Sequence, residues 1–174
     1  MKENKNKVVF AGAGPGDPDL ITVKSMKALK TADLIIYAGS LVPEAVLCWK
    51  GKDTETQSSA GMDLVQIIDA IKTYHAKGKK VVRLHTGDPS LYGAIFEQMR
   101  ELEKIKIPYE VIPGVTAAFA AASKMNMEYT LPEVTQTLIL TRISGRTPVP
   151  ELESLEKLAY HQSSMAKIGR ASCR

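Results

Sequence analysis

The chain has 174 residues, 44% of them hydrophobic and 24% charged, and a net charge of +4. It can bury a core as one domain, or as one domain and part of another, and no stretch approaches the ~20 apolar residues of a membrane span. Aromatic residues make up only 6% and the lysines are scattered, which excludes the basic, aromatic surface that reads nucleic acid. Cys48 and Cys173 offer neither a disulfide framework nor a metal-ligand spacing, as suits a reduced cytoplasmic protein. Met1 to Lys7 carry charge with no apolar stretch behind them, so they read as a solvated arm and not as a signal peptide.

The first strand is Val8-Val9-Phe10-Ala11, and it runs into Gly12-Ala13-Gly14-Pro15-Gly16-Asp17-Pro18. A dinucleotide-binding G-x-G-x-x-G would need a third glycine where Asp17 stands. Pro15 and Pro18 also remove N–H donors that a pyrophosphate would use, and an acidic side chain repels phosphate. Thr22 caps a helix over about 23–31, and Leu34-Ile35-Ile36-Tyr37 reads as a buried strand. Pro43 opens a short helix through Cys48 and Trp49, and Thr54 to Ser59 forms a polar edge strand. Asp63 caps an amphipathic helix with Leu64, Ile67, Ile68 and Ile71 on one face, closed by Gly78.

Lys80 to Leu84 is the next strand, followed by Thr86-Gly87-Asp88-Pro89-Ser90-Leu91-Tyr92-Gly93 and a helix over about 93–104. Tyr109 to Ile112 is a strand that ends in Pro113-Gly114-Val115-Thr116, before a helix of small residues from Ala117 to Ala122. Alternating strands and helices predict an α/β domain, mostly parallel, over 8–123. Ligands gather at the carboxyl ends of such strands, so the glycine-proline loops should converge on one edge. Residues 124–135 lose periodicity and read as a linker, and Gln136 to Arg142 begins a second α/β domain over 136–166 with a helix from Glu151 to Tyr160. Lys167 to Arg174 reads as a basic, structureless tail.

No P-loop and no G-x-S-x-G nucleophile elbow is present, and His75, His85 and His161 have no spacing that would make a metal site. His85 either serves the structure or works as an acid-base group whose partner the sequence does not identify. Asp88 either contacts a ligand or bonds the N–H groups of its own turn.

The chain resembles the tetrapyrrole (corrin/porphyrin) methylases. The resemblance rests on Gly12 to Thr22, Ala32-Asp33 with Tyr37, Gly87 to Gly93, and Ile112-Pro113-Gly114-Val115-Thr116-Ala117-Ala118, in this order, and covers about residues 7 to 166. The stretch Leu131 to Pro150, with Tyr37 to Pro43 and Arg83 to Asp88, resembles the branch that methylates C11 of precorrin-4 or cobalt-precorrin-4 in vitamin B12 biosynthesis. The resemblance implies two α/β domains with S-adenosyl-L-methionine between them and S-adenosyl-L-homocysteine as product. It places cofactor contacts at Pro15, Thr86, Gly87, Asp88, Leu91, Thr116 and Ala117. It places the macrocycle along Gly14, Gly16 and Asp17, with Arg142 and Arg146 either pairing with its carboxylates or serving as ordinary surface charge. A tetrapyrrole substrate and a homodimer complete that implication, and no catalytic base is assigned; no metal, no membrane and no nucleic acid are the expectations from spacing and composition given above.

Relatives that methylate uroporphyrinogen carry an Asp after the strand-two Tyr, where this chain has Ala38, so no base is carried over from there. Family members run to about one and a half times this length, as two full domains require. The family pattern leads one to expect a further apolar strand after Met165-Ala166, where the chain has Lys167 to Arg174. These residues are therefore read as a non-native tail on a truncated second domain. Two alternatives accompany the methyltransferase reading: an inactive fragment of that enzyme, and a nicotinamide-dependent oxidoreductase.

Overall fold

The computed structural model describes residues 6–145 and 147–169. It divides into two compact units, one up to Thr116 and one from Ala117 onward. The first unit holds a five-stranded sheet in the order β3-β2-β4-β1-β5, built from β1 (Val8–Gly12), β2 (Leu34–Tyr37), β3 (Glu55–Ser58), β4 (Val81–His85) and β5 (Tyr109–Ile112). Every pairing in it is parallel, with Phe10 opposite both Arg83 and Val111. A parallel sheet covered on both faces needs apolar side chains in both directions, and Leu34-Ile35-Ile36 supplies them.

The strand order explains which helix covers which face. From β1 the chain crosses β4 to reach β2, whereas from β4 it crosses β1 in the opposite direction to reach β5. Right-handed crossovers running in opposite directions put their helices on opposite faces. One face packs Phe10, Ile36 and Val81 against Ile67 and Ile71 of α2 (Leu64–Ala76) and Leu102 of α3 (Ile95–Lys104). The other packs Ala11, Ile35, Leu84 and Ile112 against Leu29 of α1 (Val23–Thr31) and Val46 of a 3-10 turn, Glu44–Trp49. Each fully buried large side chain in these layers contributes about 1.5–3 kcal/mol.

Local signals behave as their chemistry requires. Thr22 Oγ1 accepts the Ser25 N–H at the start of α1. Asp63 and Gln66 form a reciprocal capping box on α2, and Gly78 takes a φ of 71° just beyond its end. Asn6 is not free at the end of the expected solvated arm: its amide donates to the His75 carbonyl at 3.1 Å, and its own carbonyl lies 2.8 Å from His75 Nε2. The rest of that arm, up to Lys5, lies outside the described residues.

The second unit begins with α4 (Ala117–Lys124), which the sequence reading placed with the preceding domain. The residues after the helix hold it to this unit: the Tyr129 hydroxyl donates to the Ala118 carbonyl at 2.8 Å, and the Phe119 and Tyr129 rings meet edge to face. The expected linker is accordingly a tied segment, with Leu131 bridged to Thr135 and the Tyr129 carbonyl accepting from the Ser164 hydroxyl. β6 (Leu138–Thr141) then pairs in parallel with β7 (Ser164–Lys167).

Between these two strands, the helix expected over Glu151 to Tyr160 is split into a 3-10 turn, Glu151–Glu153, and α5 (Leu155–Ala159). Ser154 causes the break, because its hydroxyl caps α5 by accepting from the Lys157 N–H. Lys167 ends a strand and the Ile168 N–H donates to the Thr141 carbonyl at 2.7 Å, so the start of the expected structureless tail is part of the ladder. Residues 170–174 lie outside the described residues.

Candidate functional site

The loops that follow β1, β4 and β5 leave neighbouring strands at the same edge, and β1 and β4 flank the point where the crossovers change direction. That switch point is where open α/β sheets form their ligand crevice. Here the loops are locked to one another by backbone. Gly14 and Gly87 exchange both hydrogen bonds, at 3.3 and 2.8 Å, and the Ala13 N–H donates to the His85 carbonyl at 2.7 Å. A Cβ on Gly12 would lie 2.6 Å from both the Gly114 Cα and the Gly87 carbonyl oxygen. Glycine is required at the junction because three main chains meet there.

Asp88 ties the second loop to the third. One carboxylate oxygen accepts from the Ser90 N–H at 2.8 Å, and the other accepts from the Gly114 N–H at 2.9 Å. Of the two roles open to Asp88 in the sequence, the turn-bonding one is thus present, and it extends to a neighbouring loop. Asp88→Ala removes the acceptor of the part-buried Gly114 N–H and of the exposed Ser90 N–H, and a bond to a charged acceptor contributes about 1.5–3 kcal/mol. The variant is expected to lose roughly 2–4 kcal/mol, read as a lower urea midpoint at unchanged slope, with Asp88→Asn falling in between.

The remaining expected contacts divide between the units. Pro15 is half-buried between Gly14 at φ 73° and Gly16 at φ 117°, while Asp17 uses its carboxylate to cap the Pro18–Leu20 turn through the Asp19 N–H. Thr86 is exposed, and Leu91 and Thr116 are half-buried. Ala117 and Arg142 belong to the second unit, and Arg146 lies outside the described residues. Arg142 folds onto its own loop, donating to the carbonyls of Ile143, Thr147 and Pro148 at 3.0–3.3 Å. It also lines a hollow of about 630 Å³ at the carboxyl ends of β6 and β7, together with Lys167 and Ile168. A separate hollow of about 480 Å³ in the first unit, rimmed by Lys7, Lys24, Lys27 and Lys80, is lined by none of these expected site residues.

Beneath the second loop lie two buried polar residues that point from β4 to the α2/α3 face. Arg83 is 5% exposed and donates to Gln98 Oε1 at 3.2 Å and to the Ile36 carbonyl at 3.1 Å. Burial lowers its pKa to about 10, so it stays charged at neutral pH. His85 is 3% exposed, and its Nε2 has no hydrogen-bond partner. Burial, reinforced by the Arg83 guanidinium, holds its pKa down at about 3 against a weaker opposing pull from the Gly93 backbone. Among the described residues, no group of three or more His, Cys, Asp or Glu side chains could hold a metal, and no helix is long and apolar enough to cross a membrane.

The sequence matches the tetrapyrrole (corrin/porphyrin) methylases over residues 7–171. The chain belongs to this family. It is 57% identical over 164 residues to the cobalt-precorrin-4 C(11)-methyltransferase of Methanocaldococcus jannaschii, covering 94% of this chain and 63% of that protein. A solved cobalt precorrin-4 methyltransferase, a cobalamin biosynthetic enzyme, superposes with a TM-score of 0.91 at 46% identity, covering 97% of this chain and 70% of that one. The uroporphyrin-III C-methyltransferase of Thermus thermophilus, solved with S-adenosylhomocysteine, gives a TM-score of 0.68 at 30% identity, covering 84% of this chain and 60% of that one. The chain spans about 63% of the length of the curated relatives it matches.

Within this tetrapyrrole methylase the sequence did signal the buried pair, although its meaning stayed open. Val81-Val82-Arg83-Leu84-His85 alternates two polar residues into an apolar strand, which puts both on one face. That both would be buried, and that no carboxylate would be found among the partners of Arg83, depends on what α3 brings across from the other side of the sheet.

Proposed function

We propose that this tetrapyrrole methylase transfers a methyl group from S-adenosyl-L-methionine to C11 of precorrin-4 or cobalt-precorrin-4 in cobalamin biosynthesis. The observation that carries this reading is the use made of the loop N–H groups. Ala13, Gly14, Gly87, Ser90, Leu91 and Gly114 all donate to protein acceptors, and positions 15 and 18 are prolines with no N–H to give. These donors are spent before a pyrophosphate could use them, which weighs against the nicotinamide-dependent alternative. A sulfonium cofactor asks for no such cradle, and an edge carrying the Asp88 carboxylate suits its positive charge.

In this reading Pro15, Thr86, Gly87, Asp88, Leu91, Thr116 and Ala117 hold the cofactor. Gly14, Gly16, Asp17, Arg142 and Arg146 face the macrocycle. The bound cofactor supplies an activated methyl group on sulfur, and the loops contribute alignment of donor and acceptor more than acid-base chemistry. Because the backbone of three strands fixes the loops, little freedom is left to lose on binding. The macrocycle's carboxylates would draw on the cationic lining of the second sheet, Arg142 and Lys167. A cytoplasmic homodimer, implied by the family resemblance, completes the proposal.

Titration calorimetry of the chain with S-adenosylhomocysteine tests it. Micromolar binding of the thioether, with no binding of NAD, is the expected result. Preference for NAD would overturn the reading, and no heat from a folded chain would favour the inactive-fragment alternative.

A further inference from the structure

The two faces of the first sheet are not covered equally. Two helices, α2 and α3, pack on one face, whereas α1 and a 3-10 turn serve the same five strands on the other. Val9 records the difference: it is half-buried on an inner strand, while Val8 and Phe10, which point the opposite way, are 0% exposed. The opening is the hollow of about 480 Å³ between α1 and the edge strand β5. Val82, Val9 and Glu110 stand side by side in register across its floor, and Ile112 continues it. Its size falls within the roughly 300–1,000 Å³ of small-molecule sites.

The rim is cationic for reasons that lie in the sequence. Lys24, Lys27 and Thr31 recur at i, i+3 and i+7, so they share the stripe of α1 beside the hollow. Lys7 and Lys80 precede β1 and β4, which pair in parallel, so both lie at the amino-terminal edge of the sheet, opposite the glycine-proline loops. Lys24 Nζ is 3.3 Å from a Glu110 carboxylate oxygen. Lys7, Lys27 and Lys80 make no ion pair among the described residues. The Asp33 carboxylate, beside Lys80 in the fold, accepts from Lys79 Nζ at 3.0 Å and from the Lys80 N–H at 2.8 Å. A concavity lined by one sign of charge over low-dielectric walls concentrates ions of the other sign.

We infer that this hollow binds an organic anion, an apolar body that carries two or three carboxylates at its periphery. The ammonium groups of Lys7, Lys27 and Lys80 set the charge of the ligand. The valine floor asks for an apolar body, which inorganic phosphate lacks. No arginine lines the hollow, so no guanidinium fork selects phosphate. The site stands apart from the glycine-proline edge and does not rest on the function proposed for that edge.

Titration calorimetry of the full chain with benzenetricarboxylate tests it, with benzoate and inorganic phosphate as controls for body and for charge. The expected result is one-to-one binding of the tricarboxylate, about tenfold tighter than either control and weakened by added salt. The double variant Lys27→Gln/Lys80→Gln should weaken it by about tenfold at an unchanged melting temperature, because both side chains are exposed. Lys72→Gln/Lys106→Gln, in α2 and just after α3, removes the same charge and should bind as the parent does. No binding of the tricarboxylate, phosphate bound as tightly, or equal losses in the two double variants would overturn the inference. Amide shifts of the parent chain give an arm that no folding defect can blur: perturbation of α1, Val9 and Glu110 supports the site, and its absence sinks it. Sedimentation velocity covers the other occupant. A parent dimer that Lys27→Gln/Lys80→Gln abolishes would show that a second copy fills the hollow, and would also overturn the inference.

Discussion

Gly114→Ala is expected to cost this protein about 3 kcal/mol or more and to abolish ligand binding at the loop edge. The new Cβ would fall inside the Gly87 carbonyl oxygen and lie 2.8 Å from the Gly12 Cα. All the obstructing atoms are backbone, so no side chain can rotate away, and relief requires moving β1 or the second loop. Overpacking of ordinary cores costs about 1–3 kcal/mol where side chains can adjust, and here they cannot. At this chain length such a loss lowers the melting temperature by roughly 6–12 °C. Gly61→Ala is the control, since nothing lies within 4 Å of its would-be Cβ, and it should stay within about 0.5 kcal/mol of the parent. Equal melting temperatures for the two variants would mean that the three loops do not share the backbone contact described above.

The second large effect is a loss of stability in acid that traces to one residue. The folded-state pKa of His85 is depressed to about 3 from an ordinary 6.5. Between those values the unfolded chain carries a proton that the folded chain refuses. Unfolding therefore takes up a proton, and stability falls as pH drops through this window. The full span amounts to about 5 kcal/mol as an upper bound, at about 1.4 kcal/mol per unit, a large share of a typical folding free energy. Among the described residues, the groups around the ring include no carboxylate to offset this: Arg83 comes from β4, the Phe10 ring from β1 and the Gly93 backbone from the second loop. Asp33 shifts in the same direction, lowered first by the Lys80 N–H and then by Lys79, but it is unchanged between variants and cancels. Urea midpoints at pH 7, 5.5 and 4.5 should fall steeply for the parent and more shallowly for His85→Asn. The difference between the two slopes should reach roughly 2–3 kcal/mol by pH 4.5. Parallel slopes would show that His85 is protonated in the folded state.

Most of the first unit was legible because its signals are local. Leu34-Ile35-Ile36 is apolar in both directions and can only be a strand buried on two faces. Thr22, Asp63 and Gly78 mark helix ends by hydrogen bonds made within a few residues. β7 was not legible. Ser164-Met165-Ala166-Lys167 has no β-branched or aromatic residue and no alternation, and it becomes a strand only because Leu138 to Thr141 offers it a parallel partner. The segment after α4 misled for the same reason: its loss of periodicity suggested a linker, while Tyr129 was reaching back to Ala118 and across to Ser164.

By itself the sequence determined the α/β class of the first unit, the three glycine-proline loops, and a site that could not be a phosphate cradle. Each of these follows from residue types acting over a few positions: a missing third glycine, two prolines without N–H, strands apolar on both faces. Only the tertiary structure decided how the loops are joined. The strand order sets β4 beside β1 and β1 beside β5, and three glycines from distant parts of the chain thereby become one backbone junction. The same order decided the role of Asp88, whose partner Gly114 is chosen by the pairing of strands and the packing of loops on their ends, and it buried His85 within the sheet. Spacing along the chain carries no information about such contacts until the sheet has closed.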